Sequence, residues 1–112
     1  MFVTCFGALG ALVEKPLGDV RTTYRADLRN LMREVEEAGH ALGIDLPSDV
    51  VETTLAFADP QAAHVTSSMQ RDILEGLPSE LDAQVGAVVR MAERGGREAR
   101  MHRLILDVLS HR

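Results

Sequence analysis

Residues Ser67 to Val89 read SSMQRDILEGLPSELDAQVGAVV. They form two amphipathic segments separated by Gly76-Leu77-Pro78-Ser79, a run composed of turn residues. Ser67 and Ser68 head the first segment, and Glu80, twelve residues beyond Ser68, heads the second. A helix N-terminus exposes unpaired backbone N–H groups and a partial positive charge, so two such heads held together make a place for an anionic small molecule. Each residue also has a purely structural reading. The serines are then helix-capping hydroxyls, and Glu80 is an acid in the first turn, where the helix dipole favours it.

Outward from this stretch every long segment has helical periodicity, and no run alternates like a half-buried strand. Phe2 to Leu12 is rich in small apolar residues, as suits a helix packed closely on others, and Pro16-Leu17-Gly18 ends it. Leu28, Leu31, Met32, Val35, Ala38 and Leu42 recur at steps of three and four, with Arg29, Arg33, Glu36 and Glu37 opposite and Gly43 as the C-terminal stop. Ser48 is the expected N-cap of a helix carrying Val51, Leu55 and Ala58, which Asp59-Pro60 terminates. Pro60 opens the next helix, which presents Val65, Met69 and Ile73 and stops at Gly76. Ser79 caps a helix carrying Leu81, Val85, Val88, Val89 and Ala92, closed by Gly95-Gly96. The last helix presents Met101, Leu104, Ile105, Val108 and Leu109. The expectation is an all-α fold of about six helices.

At 112 residues there is room for one core, so residues 1–112 read as a single helical domain. A net charge of −5, with twelve basic residues interleaved among seventeen acidic ones, argues against nucleic acid as a partner. Cys5 is the only cysteine, which excludes an intrachain disulfide and suggests a buried thiol in a reducing, cytoplasmic setting. The apolar run Met1 to Val13 lacks a preceding basic segment and is too short to span a bilayer, so a buried helix is expected and no membrane partner. His40, His64, His102 and His111 lack a spacing that gathers them on one helix face, and no metal site is expected. Arg94, Arg97, Arg100 and Arg103 make a basic stripe, read as a solvated face or as a contact for an acidic face of a second subunit.

The central stretch resembles the C-terminal domain of the 2-dehydropantoate 2-reductase (ketopantoate reductase) family. The signature there runs Ser-Ser-Met, two residues, Asp-Ile, then Gly-x-Pro-x-Glu-h-(Asp/Glu), with a Gly four residues on. Ser67, Ser68, Met69, Asp72, Ile73, Gly76, Pro78, Glu80, Leu81, Asp82 and Gly86 fall into register, and the likeness extends to Arg33-Glu34-Val35-Glu36, Ala41-Leu42-Gly43, Pro16 and Gly18. The resemblance implies a helical domain of the 6-phosphogluconate dehydrogenase C-terminal type. It also implies the family's chemistry, in which NADPH gives hydride to the keto carbon of a small 2-oxo acid. Glu80 matches the glutamate that holds and tunes the catalytic lysine, and Ser68 matches the serine that grips the substrate carboxylate.

Other family features are missing. The family's Gly-rich nucleotide fingerprint is absent, so no NADPH binding is expected of this chain alone, and it looks like the second half of an enzyme without its N-terminal Rossmann domain. The alignment puts the family's catalytic lysine ahead of Met1, and Lys15 stands at the wrong end of the first helix. The family's substrate-binding asparagines fall on Val3, Gly7, Leu17 and Val65, and its Thr-Pro before the last helix on Ala99-Arg100. Two functions follow. One is the substrate-side domain of a 2-dehydropantoate 2-reductase-like oxidoreductase, inactive alone, partnered by a second copy or a separate Rossmann domain. The other is a non-catalytic helical dimerisation or interaction module derived from that fold.

Overall fold

The helix that carries no charge is the one everything else surrounds. In the computed structural model, which describes Met1–Arg112, α1 (Phe2–Val13) buries seven consecutive residues, Cys5 to Ala11, so it is enclosed on all sides. It packs on α3 (Arg25–Ala41), α5 (Ser68–Leu74) and α7 (Arg100–Ser110), and also on the short α2 (Leu17–Val20). The small residues of its sequence make this possible. A Cβ on Gly7 would lie 2.8 Å from Met69 Cε and 2.9 Å from Ser67 Oγ, and one on Gly10 would overlap Gln70 Oε1. Backbone-close packing of α1 on α5 therefore depends on these two glycines.

The all-α expectation holds, with seven α-helices and no strand. The extra helix is α2. It forms because the chain from Asp59 to Ser67 does not continue a helix as the Pro60 reading expected. Instead Leu17 N–H donates to Val65 O and Gly18 N–H to Ala63 O, both at 2.9 Å, and α5 begins only at Ser68. α4 (Val50–Ala58) ends before Asp59-Pro60 as read, but Ser48 does not cap it. Asp49 stands at the N-cap, with no side-chain bond to the helix. Gly43, Gly76 and Gly96 all adopt positive φ at helix ends, the geometry their stop positions called for.

The fourth departure is inside a helix. Beyond Leu81, residues Asp82–Gly86 form a π-helical turn that runs directly into α6 (Ala87–Arg94). The turn packs on α1, α6 and α7. Its core residue Val85 joins Cys5, Phe6, Leu9, Leu28, Leu31, Met32, Leu55, Met69, Ile105 and Leu109 in one apolar cluster. A second, smaller cluster of Ala38, Val88, Ala92 and Ala99 seals α3 to α6 and to the start of α7. On the outer side Arg25 meets Asp59 at 2.8 Å and Arg29 meets Glu52 at 2.9 Å, clipping α3 to the α4 segment. Both pairs are exposed and add little stability, so apolar burial carries the fold. The molecule measures 36 × 32 × 18 Å, a slab two helices thick.

Candidate functional site

Ser67 and Ser68 take different roles. Ser67 adopts extended backbone at the N-cap of α5, and its hydroxyl accepts the Gln70 N–H at 3.0 Å. The next residue, Ser68, is exposed. Capping thus claims one serine, and the hydroxyl that the resemblance assigns to substrate is the solvent-facing one. The helix behind it is only seven residues long, and its Gln70 N–H is already taken, so α5 offers fewer free donors than the sequence suggested.

Glu80 is also exposed, one residue after Ser79, whose hydroxyl accepts the Leu81 N–H at 3.2 Å as expected of a cap. The turn at Gly76–Ser79 joins the tail of α5, rather than its head, to the head of the next segment. It is α1 that relates the two heads. Gly7 lies against Ser67, and Thr4, one turn earlier on the same face, donates its hydroxyl to Gln84 Oε1 at 3.4 Å. Gln84 in turn donates its N–H to Glu80 O at 2.9 Å. A single turn of α1, Thr4 to Gly7, thereby contacts both the serine cap and the π turn that follows Glu80. Extra-residue turns of this kind re-aim the side chains around them and are common at functional sites.

The positions matched to the family's asparagines are scattered between surface and core, Leu17 being fully buried. Val3 is 57 % exposed, Gly7 is covered by Ser67 and Met69, and Leu17 and Val65 are joined through the backbone. None supplies an amide donor, and a side chain at Gly7 would require Ser67 and Met69 to move. Phe57, 57 % exposed, meets the Phe2 ring edge-on at 5.5 Å, and Phe2 stacks on Phe6 at 5.5 Å.

The sequence reading missed one buried polar centre. Glu34, on α3, accepts the Met101 N–H at 2.8 Å, the His102 N–H at 3.0 Å and the His102 ring at 2.7 Å. It thus caps α7 from another element. A carboxylate only accepts, so the proton of that contact sits on His102 Nδ1, leaving Nε2 buried without a partner. Burial pushes the Glu34 carboxyl up, but the hydrogen bonds from the His102 ring and from the Met101 and His102 N–H groups outweigh it and hold the acid below its ordinary 4.5. The signal was present in the sequence: Glu34 stands three residues after Leu31 and four before Ala38, in the apolar stripe itself. His102 is fully buried. Cys5 is buried as expected, and burial pushes its thiol up to about 12, so it stays protonated and unreactive.

The basic stripe is solvated and locally neutralised, with Arg100 on Glu98 at 2.9 Å and Arg103 on Asp107 at 3.3 Å. The helical fold has no strand to carry a Gly-rich phosphate loop. No helix is long and apolar enough to cross a membrane.

The fold and its parts define an all-α domain: a slab built on a buried glycine-bearing helix, with a serine-capped α5 and a π turn packed against that helix. The family described as "Ketopantoate reductase PanE/ApbA C terminal" matches residues 1–112, and the chain belongs to it. The chain is 32 % identical over 112 residues to a 2-dehydropantoate 2-reductase of Caulobacter vibrioides, covering 96 % of this chain and 38 % of that protein. Among solved structures it resembles the dimeric ketopantoate reductase of Staphylococcus aureus, with a TM-score of 0.86 at 19 % identity over 98 % of this chain and 40 % of that one. It also resembles a PanE/ApbA family ketopantoate reductase of Ralstonia eutropha JMP134, with a TM-score of 0.83 at 25 % identity over 97 % of this chain and 37 % of that one. The chain therefore spans about two fifths of the length of these relatives.

Proposed function

We propose that the chain is the substrate-side domain of a 2-dehydropantoate 2-reductase-like enzyme that reduces a small 2-oxo acid with NADPH and is inactive alone. The observation that supports this reading is the division of labour between the serines: Ser67 is consumed by the cap, while Ser68 stays exposed, as does Glu80. In this reading the Ser68 hydroxyl donates to the substrate carboxylate. The Glu80 carboxylate holds and tunes a cationic general acid supplied from outside these residues. In this reading the nucleotide belongs to the portion of the relatives that this chain does not span.

A chimera tests the reading directly. The matching segment of the Caulobacter reductase is replaced by this chain, and 2-oxo-acid-dependent oxidation of NADPH is followed. The expected result is measurable turnover, with Ser68→Ala raising KM about tenfold or more and Glu80→Gln lowering kcat about a hundredfold. A folded chimera that binds nucleotide yet turns over no 2-oxo acid, or turnover indifferent to both substitutions, overturns it.

The exposed Val3 and Phe57 favour a second reading, a non-catalytic module whose apolar surface meets another protein. The two separate in the same assay. An interaction module gives a folded but inactive chimera.

A further inference from the structure

Arg71 stands three residues after Ser68 on α5, and side chains at that spacing are neighbours on one helix face, with Cβ atoms about 5–6 Å apart. Helical side chains lean back towards the N-terminus, and Arg71 does so fully: its Nη1 donates to both Thr66 O and Thr66 Oγ1 at 2.9 Å. The guanidinium therefore runs along the side of the α5 head that carries the exposed Ser68 hydroxyl. Pinning at Nη1 occupies one corner of the group and leaves its other edge, Nε–H with Nη2–H, without a protein partner. Acids are at hand, with Asp72 next in sequence and Glu75 one turn on, yet neither pairs with Arg71. Glu75 lies on the C-terminal side, from which the side chain leans away.

We infer that Arg71 binds the substrate carboxylate together with Ser68, an assignment that rests on the reductase reading above. The free edge of the guanidinium is a planar fork whose two N–H groups match the two oxygens of one carboxylate. The Ser68 hydroxyl, a helical turn away, adds a further donor to the same group. Donors this close converge on a single carboxylate, whereas the two ends of a dicarboxylic acid need donors set farther apart. The Thr66 bonds hold the fork in place before any ligand arrives, so little side-chain freedom is lost on binding. Both donors are side-chain groups, so the site does not draw on the end of the short helix α5. With no amide at Val3, Gly7, Leu17 or Val65, recognition of the anion passes to a cation.

Titration of the full chain with pyruvate, followed by nitrogen-15 NMR, tests this without any need for turnover. The Arg71 Nε–H and Ser68 amide signals are expected to move along one saturation curve. Methyl pyruvate, which keeps the keto group and lacks the charge, is expected to move neither. Arg71→Gln keeps a donor for Thr66 but no charge, and is expected to weaken pyruvate binding at least about tenfold with an unchanged urea midpoint. Arg71→Lys, with the charge but no fork, is expected to fall between it and wild type. In the chimera, Arg71→Gln is expected to raise KM for the 2-oxo acid at least about tenfold and to change kcat by less than about twofold. A mere brace for the α5 head would instead shift the urea midpoint and leave that split absent. No shift at either residue, pyruvate binding indifferent to Arg71→Gln, or binding of inorganic phosphate in preference to pyruvate overturns the assignment. A chimera whose KM responds to Ser68→Ala but not to Arg71→Gln also overturns it, and leaves the reductase reading standing. Pyruvate bound through Arg71 in a folded chimera that reduces no 2-oxo acid upholds the carboxylate contact and overturns the reductase reading instead.

Discussion

Glu34 shows how much one side chain can organise. Three donors converge on its carboxylate, two of them backbone N–H groups at the start of α7 and the third a fully buried imidazole. Glu34→Ala is expected to destabilise the fold by about 2–4 kcal/mol, because it strands these donors where water reaches them poorly. The pH dependence has a definite sign. Because the acid is held below its ordinary 4.5 in the folded state, its contribution is complete above that value and is lost as pH falls through the depressed one. Urea titrations of wild type and variant should therefore differ most near neutrality and draw together as pH falls through the depressed value. This residue also marks a limit of the sequence reading. An acid in an apolar stripe is visible, but the partner that satisfies it lies 68 residues away, and periodicity carries no information about that distance.

At the level of the helices, the readings that succeeded rest on local chemistry. The α3 stripe of Leu28, Leu31, Met32 and Ala38 is buried as its spacing requires, and Gly43 ends that helix with φ of 79°. The readings that failed did so where tertiary bonds overrode local preference. The Asp59-to-Ser67 segment gives up a helix to pair its carbonyls with the head of α2, and α7 turns His102, bonded to Glu34, inward and leaves Leu104 and Val108 in water. Neither cause is written in the segment it acts on. The contact between α1 and α5 yields its own prediction. Gly10→Ala should cost about 1–3 kcal/mol, since its methyl overlaps the Gln70 amide, which is itself buried and tied to Lys15 O at 3.0 Å. Gly86→Ala should cost far less. The atoms it meets, Asp82 Oδ1 at 2.6 Å and Arg90 Nη1 at 2.9 Å, are ends of exposed side chains that swing away. Urea-unfolding midpoints of the two variants check the contrast.

Across the whole molecule, a slab 18 Å thick leaves nearly every helix with one face in water, and only 29 of 112 residues are buried. The resemblance supplied Ser68 and Glu80 as candidates, and both are exposed. The sequence did not reveal how their surroundings are joined, because the link runs through Thr4 and Gly7 of α1, more than sixty positions upstream. The exception to the thin architecture is α1 itself, the only helix with seven consecutive residues withdrawn from solvent. Its amides cannot reach bulk water by fraying or by the departure of a single neighbour, since α2, α3, α5 and α7 all lie against it. Deuterium should thus enter the Leu9 to Ala11 amides only at the rate of global unfolding, while those of the peripheral α4 exchange sooner. The scaffold beneath the serine cap and the π turn is then the last part of the chain to open, and any looseness at the candidate site comes from the elements laid upon it.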